Sequence, residues 1–178
     1  VYGMDDTKNY LLDVAGSGKT NILISKALYL LEKTPDSKPP SILLTTYSMN
    51  LEKNIQRIFN AKLAQSGGDS KSAYQAITIM GMPSLTKAIV KRGADGELAE
   101  RAPDEGEDAY EIRLKDWAAE ILENDPAPFA RFDYILIDEI QDFDDTHLYI
   151  LTKLCRGGRY LFVGDVGQKI YERSHDLK

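Results

Sequence analysis

Three short stretches of this chain carry residue types that could handle a nucleoside triphosphate. In Ala15-Gly16-Ser17-Gly18-Lys19-Thr20, glycines let backbone N–H groups turn inward on an anion, an ammonium can reach the outer phosphates, and a hydroxyl can ligate Mg²⁺. Asn21 follows directly, on the helix this stretch opens. Asp13 stands where the strict phosphate-loop pattern asks for glycine. If that carboxylate faced a phosphate about 6 Å away, the repulsion would cost roughly 2 to 3 kcal/mol at an effective dielectric near 20. The bland alternative is a Gly-rich turn that binds nothing. The second stretch, Asp138-Glu139-Ile140-Gln141-Asp142, places adjacent carboxylates after an apolar run. One acid can hold a Mg²⁺ shell while the next orients or deprotonates a water. An acidic helix start would account for Asp144 and Asp145, but not for a pair at a strand tip. The third stretch, Gly164-Asp165-Val166-Gly167-Gln168-Lys169-Ile170-Tyr171, offers Gln168, a neutral amide able to sense a γ-phosphate. Alone it would read as a polar turn.

These stretches matter only if the surrounding elements bring them to one edge. Tyr10 to Val14 is a short apolar run, and Ile22, Leu23, Ala27, Leu30 and Leu31 then recur at helical spacing. Prolines at 35, 39 and 40 end that helix and lead to a β-rich run, Ile42 to Thr46. Leu51, Ile55, Ile58, Phe59 and Leu63 predict a second amphipathic helix. Ser66 to Ser72 reads as a Gly/Ser loop, Ala76 to Met80 as a strand and Leu85 to Val90 as a short helix. A helix from Tyr110 to Glu123, a buried strand from Phe132 to Ile137, a helix from Asp144 to Cys155 and a strand from Tyr160 to Val163 complete the pattern. Alternation of this kind predicts a parallel sheet with helices on both faces and a ligand site at the carboxyl ends of the strands.

Length and composition agree with one domain. The chain has 178 residues, of which 43% are apolar and 28% charged, enough to build a core. No apolar run approaches the ~20 residues of a membrane span, so an intracellular setting is expected. Cys155 is the only cysteine, which rules out an internal disulfide and a multi-cysteine metal site; a buried helix position is expected for it. The net charge is −6, but it is unevenly spread. Eight acidic residues and Arg101 lie between Asp95 and Glu111, leaving 21 basic and 20 acidic residues elsewhere. That segment reads as a solvated loop, and a polyanion can still bind a less acidic face.

AGSGKT, then DEIQD, then GDVGQKIY, in this order and at these separations, resemble motifs I, II and III of the UvrD/Rep-like helicases of superfamily 1. The resemblance covers nearly the whole chain as a RecA-like P-loop NTPase domain, with 91–131 in the place of a reduced insertion carrying the acidic loop. It implies an ATP-binding motor domain of a DNA helicase or translocase, moving 3′ to 5′ on single-stranded DNA, with ATP and Mg²⁺ as cofactors. Ala15, Gly16, Ser17, Gly18, Lys19, Thr20 and Asn21 would line the nucleotide. Thr20 and Asp138 would serve the metal, Glu139 would activate water, and Gln168 would couple the γ-phosphate to DNA. Thr45-Thr46-Tyr47-Ser48 resembles motif Ia, so Thr46 and Tyr47 would touch single-stranded DNA by phosphate and stacking contacts. A Thr-rich strand end with a helix cap is the plainer alternative there. The resemblance further implies a second RecA-like domain beyond Lys178, supplying transition-state arginines, so the isolated domain should hydrolyse ATP poorly. A helicase-like ATPase that remodels a protein complex, such as RNA polymerase, and a degenerate nucleotide-binding module remain as alternative functions. The expected location is the cytoplasm, in association with the nucleoid, or the nucleus.

Overall fold

In β4, Phe132–Ile137, successive side chains serve opposite faces of one sheet. Ile135 and Ile137 enter one buried cluster while Leu136 enters another. A computed structural model describes residues 8–13, 18–34, 39–66, 70–94 and 100–165, the first of these by backbone alone. The other strands are β1 (Lys8–Asp13), β2 (Ile42–Thr46), β3 (Ile77–Gly81) and β5 (Cys155–Asp165). The helices are α1 (Lys19–Lys33), α2 (Met49–Ser66), α3 (Ser70–Ala76), α4 (Met82–Gly93), α5 (Glu107–Asn124) and α6 (Asp145–Leu154). The strands pair in parallel in the order β1-β5-β4-β2-β3. Parallel neighbours need crossover connections, and the helices supply them, covering both faces.

The two faces are packed by different helices. Leu43, Ile135, Ile137 and Phe162 meet α4, α5 and α6 on one side, whereas Ile42, Leu44, Leu136 and Val163 meet α1, α2 and α3 on the other. The burial pattern of β2 is continuous for this reason. Truncating a fully buried residue such as Leu136 to alanine would cost about 2 to 5 kcal/mol. The packing bears out the α/β class and the parallel sheet with helices on both faces. Among the described residues, no helix is long and apolar enough to cross a membrane.

Two elements differ from the expectation. Ser70–Ala76 is a helix, against the expected loop over Ser66 to Ser72 and strand from Ala76. Ala73 and Ala76 are buried, the Tyr74 hydroxyl donates to Asn60 Oδ1 at 2.9 Å, and its ring meets Phe59 edge-on, so packing overrides weak propensity. Strand β5 starts at Cys155, not Tyr160, so that cysteine closes α6 as a buried strand residue. Its pairing with β4 shifts register between Phe132 and Tyr134, opposite Arg156, Gly157 and Gly158. Gly158 has φ +62 and a Cβ on Gly157 would lie 2.9 Å from the Asp133 carbonyl oxygen, so both glycines serve the bulge. Helix α5, within 91–131, sends Leu114, Ala118 and Leu122 into the buried cluster. It approaches α4 so closely that a Cβ on Gly93 would fall 2.5 Å from Ile121.

Candidate functional site at the carboxyl edge of the sheet

Helix α1 begins where the phosphate-loop stretch ends. Gly18 caps it with φ +84, in the left-handed region, and nothing lies within 4 Å of an added Cβ. Glycine is therefore needed there for its angle, not for room. Lys19 and Thr20 occupy the first turn, Lys19 only 5% exposed and Thr20 half-buried, while Asn21 is exposed. The helix carries no acid in this turn, so its positive end is not cancelled locally. Ala15, Gly16 and Ser17 lie outside the described residues, as does Gln168. The register nonetheless sets Asp13, at the end of β1, beside Asp165, at the end of β5. The first and third motifs thus leave the sheet from adjacent strands.

Strand β4 delivers the second motif to the same edge. The Asp138 backbone N–H donates to the Thr45 carbonyl at 2.9 Å, tying the tips of β4 and β2 together. Its side chain is 1% exposed, and Oδ2 accepts a 2.6 Å hydrogen bond from Thr20 Oγ1, while Oδ1 has no hydrogen-bond partner among the described residues. Burial pushes the Asp138 carboxyl above the usual carboxylate range, and neighbouring Glu139 adds to this. The Thr20 hydrogen bond and the Lys19 charge pull the other way.

These observations test the fit of Mg²⁺. An orphaned buried carboxylate oxygen beside a hydroxyl, close to an ammonium, is an all-oxygen donor set suited to a hard cation. Thr20 and Asp138 would hold it. Bound there with a triphosphate, the ion would neutralise charge on the phosphate oxygens.

Glu139 follows with φ 53, the only non-glycine residue with positive φ among those described. Such a conformation costs of order 1 kcal/mol or more for a side chain with a Cβ, and is retained where the surroundings hold it. Its Oε2 accepts a 2.6 Å hydrogen bond from Gln141 Nε2, across a short 3-10 turn at Ile140–Asp142. The buried Ile140 anchors that turn. Gln141 was missed as a site residue, although its place two residues beyond an acid in DEIQD was the available signal.

The tip of β2 presents the remaining candidates. Thr46 is fully buried and its hydroxyl has no hydrogen-bond partner among the described residues. Tyr47 is 43% exposed, with its ring edge-on to Phe143 at 6.3 Å and to His147 at 5.7 Å between centroids. The surface at this tip is therefore the Tyr47 ring, set on the segment that leaves the acid pair. His147 is also part of the α6 cap: its backbone N–H donates to Asp144 Oδ1 at 2.9 Å. Burial lowers the His147 pKa, and Lys115, which pairs with Asp144, opposes protonation too, against the attraction of Asp144. Glu52 on α2 accepts from the Gly81 N–H and the Ser84 hydroxyl, both at 2.8 Å, and so fixes the β3–α4 turn beside this tip.

Lys19, Thr20, Asp138 and Glu139 thus share one rim, formed by the start of α1 and the end of β4, where an anion and a cation can be held side by side. Comparison with family models matches residues 4–174 to a family described as an AAA domain. No curated protein matches the chain. With nearly its whole length matched and its phosphate-loop helix set against the acid-bearing strand, the chain belongs to this AAA domain family and is a P-loop, helicase-like nucleotide-binding domain.

Proposed function

We propose that this domain is the first motor half of a UvrD/Rep-like superfamily 1 helicase or translocase. It would couple ATP hydrolysis to movement along single-stranded DNA in the 3′ to 5′ direction. The observation that supports it is the Thr20–Asp138 hydrogen bond beside buried Lys19, because a hydroxyl, a carboxylate and an ammonium grouped at the carboxyl edge of a parallel sheet suit a phosphate and its metal ion. Lys19 and the α1 N-terminus hold the β- and γ-phosphates. Glu139, fixed by Gln141, takes a proton from the attacking water. Tyr47 offers a ring for a base to stack on, a contact that any sequence can make. A second RecA-like domain would close over this edge and supply arginines, worth roughly 10³ to 10⁵ in rate.

Measurement of ATP turnover with and without a single-stranded oligonucleotide, on the protein carrying its second domain, tests the proposal. Stimulation by the strand, abolished by Lys19→Ala, is the expected result, with strand displacement reporting direction. Turnover indifferent to nucleic acid would favour remodelling of a protein complex instead, and failure to bind Mg·ATP would leave only an interaction module.

A further inference from the structure

Two buried side-chain oxygens, Asp138 Oδ1 and Thr46 Oγ1, have no hydrogen-bond partner among the described residues. The sheet sets them side by side. β2 and β4 pair in parallel as far as Thr45 opposite Ile137, and the Asp138 N–H extends that ladder by donating to the Thr45 carbonyl. Thr46 and Asp138 are therefore the next opposed pair, on strands about 4.8 Å apart. Alternation decides which way they face. Leu43 and Ile135 enter the cluster under α4, α5 and α6, and Thr45 follows them, its hydroxyl reaching Met82 Sδ at 4.0 Å. Ile42, Leu44 and Leu136 enter the cluster under α1, α2 and α3. Thr46 continues this second series, and so does Asp138, whose side chain bonds Thr20 on α1. Tyr47, one residue on, has its ring against Phe143 on the other face. Thr46 is 0% exposed, against 1% for Asp138 and 5% for Lys19. A nucleic-acid strand lying on the Tyr47 ring does not reach a hydroxyl at that depth on the opposite face, whereas Thr20 and Asp138, the residues fitted to hold Mg²⁺, share its face.

We propose that Thr46 is a positioning residue for the metal ion of the nucleotide site, acting with Asp138 Oδ1 on a water of the ion's shell, and not a contact for single-stranded DNA. Magnesium gives up its waters reluctantly, so protein groups beside it commonly bind those waters instead of the ion. A metal-bound water presents two protons, and two neighbouring oxygens that each lack a donor can accept one apiece. The strand on the other side supplies no substitute. Thr46 is opposed there by Gly81, which has no side chain and gives its N–H to Glu52 at 2.8 Å. An unpaired buried hydroxyl costs free energy, and valine would fill the same volume without that cost. Its retention beside a second orphaned oxygen therefore calls for a polar occupant that both share. The inference rests on the nucleotide and metal part of the reading above, and is independent of the strand.

Mn²⁺ is the probe, titrated into the full chain with a non-hydrolysable ATP analogue and followed by its paramagnetic resonance. Thr46→Val should weaken Mn²⁺ binding about tenfold or more, the usual effect of removing a group that holds a metal's ligand. Thr46→Ser should restore it. The melting temperature of Thr46→Val should be equal to or above that of the wild type, because no hydrogen bond within the protein is lost. Affinity for a single-stranded oligonucleotide, measured by anisotropy without metal or nucleotide, should not change. Mn²⁺ affinity indifferent to Thr46→Val would overturn the proposal. So would a lower melting temperature for that variant, which would give the hydroxyl to the fold, or a lost strand affinity with Mn²⁺ binding intact, which would give it to DNA. Strand-stimulated ATP turnover of the wild type is read in parallel. Its absence, with Mn²⁺ binding still dependent on Thr46, sinks the motor reading alone, and its presence with Mn²⁺ binding indifferent to Thr46 sinks this inference alone. A wild type that takes up no Mn²⁺ with the analogue overturns both.

Discussion

The Thr20 hydroxyl and the Asp138 carboxylate, 118 residues apart in sequence, meet at 2.6 Å beneath the surface. This contact ties the first turn of α1 to the tip of β4, and it leaves the other Asp138 oxygen buried with no hydrogen-bond partner among the described residues. Removing the hydroxyl therefore harms both stability and chemistry. Thr20→Val should lower folding stability by about 1 to 3 kcal/mol, because a buried acceptor loses its donor. It should also raise the Mg²⁺ concentration needed for turnover, while Thr20→Ser preserves both. Thermal melts and a Mg²⁺ titration of ATP turnover check the two effects separately.

Asp138→Asn should do the reverse to stability. Burial already disfavours the ionised carboxylate, so a neutral amide of the same shape, still able to accept from Thr20, should leave the melting temperature equal or higher. Mg²⁺-dependent turnover should vanish. Such a gain in stability with loss of function is the expected mark of a group kept for chemistry at a folding cost. A large drop in melting temperature would show that Asp138 is structural.

Glu139 is held at a left-handed backbone angle and oriented by Gln141. Glu139→Gln in the intact protein should bind ATP as before and turn over roughly 10² to 10⁴-fold more slowly, the usual worth of a general base. Gln141→Ala should have a smaller effect of the same kind, lowering kcat with little change in KM. Equilibrium nucleotide binding and steady-state kinetics distinguish this outcome from a binding defect. Unchanged turnover in Glu139→Gln would remove it from the assigned role.

The legibility of this molecule followed the strength of the local signal. The strand of 132–137 and the helix of 145–154 stood out because apolar periodicity and the Asp138–Glu139 pair agreed with one another. The Ser70–Ala76 helix did not, since its Ser and Gly surroundings speak for a loop and only contacts with Asn60 and Phe59 make it helical. Cys155 was misplaced because Gly157 and Gly158 hide the start of a strand behind turn residues. At the site, residue types found Lys19, Thr20, Asp138 and Glu139, but sequence cannot show that Thr46 is buried or that Tyr47 rests on Phe143 and His147. Those are consequences of sheet order, which places β2 beside β4.

Tyr47 is the exposed member of its aromatic group. If a base stacks on it, Tyr47→Ala should cost about 1 to 3 kcal/mol of single-strand affinity. Basal ATP turnover without nucleic acid should stay unchanged, because the ring touches neither Lys19 nor the acid pair among the described contacts. Tyr47→Phe should retain most of the affinity. Anisotropy with a short single-stranded oligonucleotide gives the number, and equal binding by wild type and Tyr47→Ala would remove this ring from the strand path.

The buried His147 should make stability depend on pH. Its folded pKa lies below the ordinary imidazole value of about 6.5, first through burial and then through the Lys115 charge. Below about pH 6.5 the unfolded chain therefore binds more protons than the folded one, and stability rises with pH across that window. The contribution is fully present above the unfolded pKa and is lost as the pH falls through the folded one. Asp144 beside it attracts the proton without reversing the shift, and its own carboxyl is held below the usual range by Lys115 and the His147 N–H despite burial. Acidification from pH 7.5 to 5.5 should thus lower the melting temperature, and His147→Gln should flatten that dependence. Equal melting temperatures for the wild type at both values would contradict the buried, neutral imidazole.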